Sequence, residues 1–492
     1  MMDGMTIESF HPIGPVLILT VTLGAILLGA LVGKGGPGRR GLLVVALGGL
    51  AAAMFSALRL FPLARALPAG PGSWISDYLF VDPLYVFVII FLCGFLCGIL
   101  LLSASLWRKP SWEWPVFICM LVGSLIGMIL LASSRHLIFL AIAFELASLP
   151  SYVLVGFRRF NTKSAEGAAK YIIFGAVCSA LMIYGISLLY GLAGSFDLEK
   201  VARHLAANGV SSLSIVALIC LFMGLAFKIS LAPTHFWCPD VFEAAGADVA
   251  AWLSVASKSA ALFALARFVH ILLPSFAPDV QDRAVWVLSV VAVVTMTLAN
   301  LSAYWQTSVK RLLAYSSIAN AGYITCGALV FSDAAGTAAM VAYVLVYLVM
   351  NLGAFSVVGL VEQQTGDDHL DNFAGLGDRN PKLAAVMTFF LFSLVGLPPL
   401  AGFAAKWILL SVLWRHQLFF LVVAILANTL FSLFYYLRVT RAMYFGCCDA
   451  APIKVTGFAA ALLVTCAVGL IAIFIGWGFL NSFSLTLFGL ST

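Results

Sequence analysis

Four charged side chains stand inside long apolar runs. Glu145 lies in Phe139-Leu-Ala-Ile-Ala-Phe-Glu-Leu-Ala-Ser-Leu149, Lys228 in Gly224-Leu-Ala-Phe-Lys-Ile-Ser230, Lys258 in Leu253-Ser-Val-Ala-Ser-Lys-Ser-Ala260, and Lys406 in Gly402-Phe-Ala-Ala-Lys-Trp407. Charge at hydrocarbon depth is costly, so residues of this kind face a functional interior. Burial lowers the proton affinity of a lysine by up to about 3–5 pKa units, and a neighbouring carboxylate raises it. A lysine that gains and loses a Glu partner therefore loads and releases a proton near neutral pH. One acid and three bases are the minimum parts of a proton relay. Ion pairs that only hold helices together would use the same residue types. Four such charges, two of them beside helix breaks, favour transport.

Weaker features surround these four. His235 follows Pro233 and is a candidate for proton entry, though a loop histidine would look the same. Asp240, Glu243 and Asp248 make the next stretch acidic, read as a solvated loop. Tyr343, Tyr347 and Asn351 share one helix face at i, i+4, i+8 and suit either packing or a water path. Asp367, Asp368 and Asp371 lack the ligand spacing of a calcium loop and read as an exposed turn. Nine of the ten cysteines, including Cys447 and Cys448, sit in or beside apolar segments without a C-x-x-C pair, and Cys238 stands alone in a loop. No metal site or cofactor is expected in this chain. None of the seven histidines falls mid-span, as a membrane haem would need, and no glycine-rich phosphate loop follows a strand. Protons or ions, not electrons, are the expected cargo.

The elements that must position these residues follow from composition. Of 492 residues, 63% are hydrophobic and 10% charged, against roughly 45–50% and about 25% in soluble domains. This excludes a soluble enzyme, a nucleic-acid-binding module and a disordered chain. The lipid bilayer is the expected surrounding. Continuous apolar runs exclude a transmembrane barrel, whose strands alternate. The expected fold is all-α, a polytopic membrane protein of about fourteen helices. The spans are 15–33, 41–62, 82–106, 115–133, 136–157, 168–192, 212–237, 246–273, 284–305, 310–331, 334–361, 382–414, 417–445 and 455–480. The acidic first ten residues lack a basic leader, so the first span is expected to stay. Sixteen of the 27 Lys and Arg fall in one set of alternate loops, among them Lys34, Arg108, Lys109 and Arg159. The positive-inside rule places that set in the cytoplasm and both termini outside.

Two spans are expected to be discontinuous. The seventh carries Gly224 and Pro233, and the twelfth carries Gly396-Leu-Pro-Pro399 and Gly402. Proline removes a backbone donor and breaks the ladder. Broken helices at corresponding places in two halves are a signature of inverted repeats. The expected organisation is peripheral helices in 1–110, a first five-helix repeat in 115–273, a second in 284–445, and a last helix at 455–480.

At these residues the sequence resembles a known family. Phe144-Glu-Leu-Ala-Ser-Leu-Pro-Ser-Tyr-Val153, Ser164-Ala-Glu-Gly-Ala-Ala-Lys-Tyr171, Lys228 through Val241, Gln306 through Ile318, Gly375-Leu-Gly-Asp-Arg-Asn-Pro381 and Gly396 through Lys406 are similar to the antiporter-like membrane subunits of bacterial respiratory complex I, subunit N in particular. The resemblance covers about residues 80–445. It implies fourteen helices with two inverted repeats, and a relay of Glu145, Lys228, the connecting Lys258 and the exit-side Lys406. It implies translocation of protons coupled to quinone reduction, with quinone, NADH, FMN and iron–sulfur clusters held by partner subunits and no cofactor in this chain. It implies a hetero-oligomer with an adjacent antiporter-like subunit in the bacterial inner membrane. A multi-subunit cation/proton antiporter and an energy-conserving hydrogenase would use the same lysines. The family's Gly-Ala-Pro-Thr-Pro run is absent here, where the chain reads Phe242-Glu-Ala-Ala-Gly-Ala-Asp-Val249, which puts the start of the eighth helix in question. A histidine common on the tenth helix is Asn320, which orders water but does not titrate.

Overall fold

The structure is a computed structural model that describes residues 11–32, 39–66, 77–107, 113–158, 161–331, 333–446, 451–478 and 482. Lys34, Arg108, Lys109, Arg159, Cys447 and Cys448, the first ten residues and the end of the last expected span lie outside the described residues. The helices are α1 (Gly14–Val32), α2 (Arg39–Ala66), α3 (Pro83–Leu106), α4 (Trp114–Ser133), α5 (Leu137–Val155), α6 (Thr162–Ala193), α7 (Leu198–Asn208), α8 (Ser212–Ile229), α9 (Trp237–Ala244), α10 (Ala247–Trp252), α11 (Lys258–Leu272), α12 (Pro278–Ala303), α13 (Val309–Leu329), α14 (Ala334–Thr365), α15 (Leu376–Arg379), α16 (Pro381–Val395), α17 (Ala401–Arg415), α18 (Phe419–Phe445) and α19 (Gly457–Ile475). Among the described residues twelve segments are long and apolar enough to cross a membrane, with α10 through Ser275 counted as one. The more polar α13 and the interrupted α16–α17 pair fill the other two expected positions. Among the described residues the extended pairings are three isolated bridges, Leu79 with Ser134, His136 with Asp197 and Ser308 with His369.

Local sequence explains the helix ends. Asp82 accepts from Tyr85 N–H ahead of Pro83, Asn161 from Lys163 and Ser164, and Ser308 from Arg311, so free amides of the first turn are satisfied. Asn380 caps α16 just ahead of Pro381, whose missing N–H costs nothing at the first helical position. The left-handed Gly194 and Gly366 close α6 and α14.

One helix is absent from the expected spans. α7 is short and amphipathic, with Leu198, Val201, Ala202 and Leu205 buried at i, i+3, i+4 and i+7 and Asp197 as its cap. It lies along the end of the bundle marked by Asp82, Arg135 and Asp197, where Arg135 meets Asp197 and Glu199. On the same end Arg267 grips Asp82 with both terminal nitrogens at 2.7 and 2.8 Å and donates through Nε to Ala132 O. The other end gathers the stretches around 158, 240, 310, 362, 379 and 454, tied by ion pairs and by Asn380 to Ile453 O.

Both predicted breaks are present and share one backbone solution. α8 ends on left-handed Ser230 (φ 67°), and Leu231 N–H reaches back to Ala226 O at 2.8 Å. α16 ends on left-handed Gly396 (φ 85°), and Leu397 N–H reaches back to Phe392 O at 3.2 Å. These six-to-one bonds are Schellman closures, which satisfy carbonyls that the broken ladder would otherwise leave bare. The eighth span is also irregular. Between α10 and α11 the five residues Leu253–Ser257 form a π-helical turn, so the helix persists without the family's prolines but is underwound just before Lys258. π-turns inside α-helices concentrate at functional sites. The whole segment Ala247–Ser275 sits at the centre of the bundle with every residue of its apolar stretch buried.

Candidate functional site: a buried line of lysines and tyrosines

Lys228, Lys258 and Lys406 are 0%, 2% and 5% exposed. Lys228, in the last turn of α8, has its Nζ 5.2 Å from the Phe144 ring and 5.9 Å from the Tyr171 ring. Tyr171 is in turn stacked on Trp237 at 4.3 Å. No hydrogen-bond acceptor meets this ammonium among the described residues, so ring faces supply its electrostatic contacts, worth roughly 0.5–2 kcal/mol each. Glu145 is half-buried on α5 and accepts a short hydrogen bond from Ser179. It is not within ion-pair distance of Lys228. The expected Glu–Lys contact is therefore open here, with each member held by a different neighbour.

Lys258 begins α11 directly after the π-turn, and its Nζ donates to Cys238 Sγ at 3.6 Å. Cys238, read from the sequence as a lone loop thiol, lies buried in α9 and faces the central lysine. Lys406 sits across the second break. Its Nζ donates to Val395 O at 2.8 Å and Leu394 O at 3.3 Å, and lies 4.9 Å from the Tyr323 ring centroid. A cation on the last carbonyls of α16 satisfies unpaired acceptors and complements the helix dipole, an effect of about 0.3–2 kcal/mol.

A series of buried polar groups lies between Lys258 and Lys406. Ser254, one turn before Lys258, receives the Ser317 hydroxyl on its carbonyl at 3.3 Å. The adjacent Ser316 pairs with Tyr436 OH, and its carbonyl accepts from Asn320 at 2.8 Å. Tyr343 OH donates to Asn320 Oδ1 at 2.9 Å. Tyr436 packs on Tyr435 at 4.4 Å, Tyr435 OH donates to Asn300 Oδ1 at 3.1 Å, and Asn300 donates to Tyr323 OH at 3.1 Å, beneath Lys406. The stripe Tyr343, Tyr347, Asn351 faces this interior, with all three side chains buried. Asn320 thus acts as a hydrogen-bonding junction at the place where the resemblance implies a histidine.

His235 lies in the first break, 9% exposed, its ring 4.4 Å from Phe236, with no partner for Nδ1 among the described residues. The acidic stretch is not a solvated loop. Asp240 pairs with Lys170 and Arg311, both at 2.7 Å, and Glu243 pairs with Arg311 at 3.1 Å and Lys163 at 3.6 Å. Burial pushes the Asp240 carboxyl up, but Lys170 and Arg311 outweigh it and hold it below the usual carboxylate range. Asp248 is buried. Asp368, read as part of an exposed turn, is 8% exposed: it accepts from Ser308 Oγ and from Lys310 N–H, closing the start of α13. Lys310 and Glu362 form a buried pair at 3.0 Å, with Arg158 on the same Glu362 oxygen at 2.8 Å. Their sequence signal was weak because each sits at the end of an apolar run, where charge is ordinary.

Residues 134–432 match the family described as NADH:quinone oxidoreductase/Mrp antiporter, TM. The chain belongs to this family. The matched region of this antiporter family runs from the start of α5 into α18 and contains Glu145, the three buried lysines and both breaks. The chain is 38% identical over 391 residues to NADH-quinone oxidoreductase subunit N of Chlorobium chlorochromatii, covering 77% of this chain and 75% of that protein. It is 44% identical over 351 residues to NADH-quinone oxidoreductase subunit N 2 of Sorangium cellulosum, covering 68% of each. A chain of respiratory complex I from Thermus thermophilus, solved with bound aureothin, superposes with a TM-score of 0.76 at 29% identity, covering 95% of this chain and 98% of that one.

Proposed function

We propose that this chain is the antiporter-like, proton-translocating membrane subunit of an NADH:quinone oxidoreductase. The observation that carries this reading is the series of three lysines buried in a family member, two beside helix breaks, with a line of Ser, Asn and Tyr groups between Lys258 and Lys406. A change driven from partner subunits moves Glu145 toward or away from Lys228. Closing the contact stabilises the charged ammonium, and opening it favours release of a proton to Lys258. Lys258 passes the proton along the Ser, Asn and Tyr groups to Lys406, whose ammonium is held by the Val395 and Leu394 carbonyls at the end of α16. Aromatic walls around Lys228 exclude bulk water, so the charge change there is felt at short range.

In this reading NADH, FMN, iron–sulfur clusters and quinone belong to partner subunits, and an adjacent antiporter-like subunit contacts this chain. The membrane is the bacterial inner membrane, the basic end is cytoplasmic, and both termini face the periplasm. Inverted repeats over 115–273 and 284–445 are part of the proposal. Support comes from matched packing, with α4 on α5 as α12 on α13, α6 on α8 as α14 on α16 and α17, and a Schellman closure at each break. Replacing Lys228 or Lys406 by alanine in the assembled complex is expected to reduce proton translocation in proteoliposomes. Wild-type pumping by both variants would refute the assignment, and sodium-dependent exchange without an electron donor would place the chain in a cation/proton antiporter.

A further inference from the structure

A pocket of about 260 Å³ opens at the basic end between the C-terminal ends of α3, α5 and α14 and the start of α10. Its polar lining is Arg158, Asp248, Glu362 and Gln363, and its wall is aromatic, with Trp107, Phe117 and Phe157. Asp248 is 4% exposed. Its Oδ1 accepts from Val249 N–H at 2.9 Å, whereas Oδ2 has no hydrogen-bond partner among the described residues. A buried carboxylate oxygen without a partner is expensive and needs a reason.

The charges around it are already spoken for. Glu362 is shared by Arg158 at 2.8 Å and Lys310 at 3.0 Å. Asp368 lies 3.9 Å from Lys310 and takes the Ser308 hydroxyl and the Lys310 amide. Among the described residues these two cations and two carboxylates balance, and Asp248 is a further negative charge. The Arg158 guanidinium approaches it over Gly246, where a Cβ would stand 2.6 Å from Asp248 Oδ1 and 3.4 Å from Arg158 Nη2. α9, the other neighbour of α10, spends Asp240 and Glu243 on Lys170, Lys163 and Arg311. Among the described residues the end of α3 contributes Leu106 and Trp107, neither of them titratable. Among the described residues Asp248 therefore has no cation within ion-pair distance, while it lines an opening at this end of the bundle.

We propose that this pocket is a proton-loading vestibule and that Asp248 is its acceptor. A hydronium ion entering past Arg158 gives its proton to Oδ2 and leaves as water, and the resulting carboxylic acid neutralises this further charge. The same helix carries the proton's destination. Lys258 is ten residues on, about 15 Å along the axis, with the π-turn between them. Entry thus lies at the head of the eighth span rather than at His235 in the break of the seventh. This inference rests on the relay reading above.

The test uses the assembled complex in proteoliposomes, measuring protons translocated per electron, with quinone reduction and thermal midpoint measured alongside. Asp248→Asn keeps the acceptor for Val249 N–H and removes the carboxylate oxygen that accepts the proton. It is expected to lower the ratio to the level of Lys258→Met, with the thermal midpoint unchanged, and Asp248→Glu, which keeps the carboxylate, is expected to restore the ratio. If Asp248→Asn pumps as wild type while Lys258→Met does not, the vestibule is overturned and the relay stands. If neither variant changes the ratio, the relay reading itself fails. If the loss appears only when sodium is present, the pocket holds a metal cation, and proton loading is overturned.

Discussion

A fully buried ammonium without a hydrogen-bond acceptor, as at Lys228, is a burden on stability that only use can justify. Replacing such a group by an apolar side chain of similar length is neutral or stabilising. Lys228→Met is therefore expected to hold or raise the thermal midpoint of the purified chain while abolishing its share of proton translocation. A midpoint lowered by several degrees would make Lys228 a structural residue. The deep charges were legible in the sequence because apolar flanks isolate them. Lys310, Glu362 and Arg267 were not, since a charge near a helix end has a cheap alternative in water. Only the fold shows that these ends are covered. The Asp240 web titrates at the same scale. Its carboxyl is held low by Lys170 and Arg311, so its stabilising contribution is present above the unfolded carboxylate range and is lost as pH falls through the lower folded value. Acidification is expected to lower the thermal midpoint of the wild type more than that of Asp240→Asn, with the two converging below that value.

Among elements, the two breaks do most to position the relay. Gly402, in the first turn of α17, lies so close to the end of α16 that a Cβ there would stand 1.8 Å from Ser393 O. That atom is backbone, so Gly402→Ala must push α17 away from the carbonyls that hold Lys406. Overpacking of this kind costs about 1–3 kcal/mol. The expected result is a lower thermal midpoint together with reduced proton translocation, and an unchanged ratio would show that Lys406 does not depend on this packing. The second break was readable from Gly396 and two prolines. The first was readable from Pro233, but its pivot is Ser230, a residue type that rarely adopts the left-handed conformation, so its position could be read only from the backbone. The π-turn before Lys258 left no proline or glycine signal at all, and α7 was lost because its apolar stripe is too short to count as a span.

At the scale of the molecule, the bundle keeps its relay central and secures its ends with charge. Arg267 on α11 joins α3 through a two-pronged pair with Asp82 and joins α4 through Ala132 O. Asp82 is partly exposed, so Arg267→Ala is expected to cost about 2 kcal/mol, at the low end for buried pairs. That loss should appear in thermal unfolding without a change in protons per electron. The central claim is that Lys228 and Lys406 are stations on one path. Its most direct measurement is protons translocated per electron by the complex carrying Lys228→Met, Lys406→Met or both. A single path predicts that the double variant loses no more than either single one. Losses that add, or singles that pump as wild type, would contradict it.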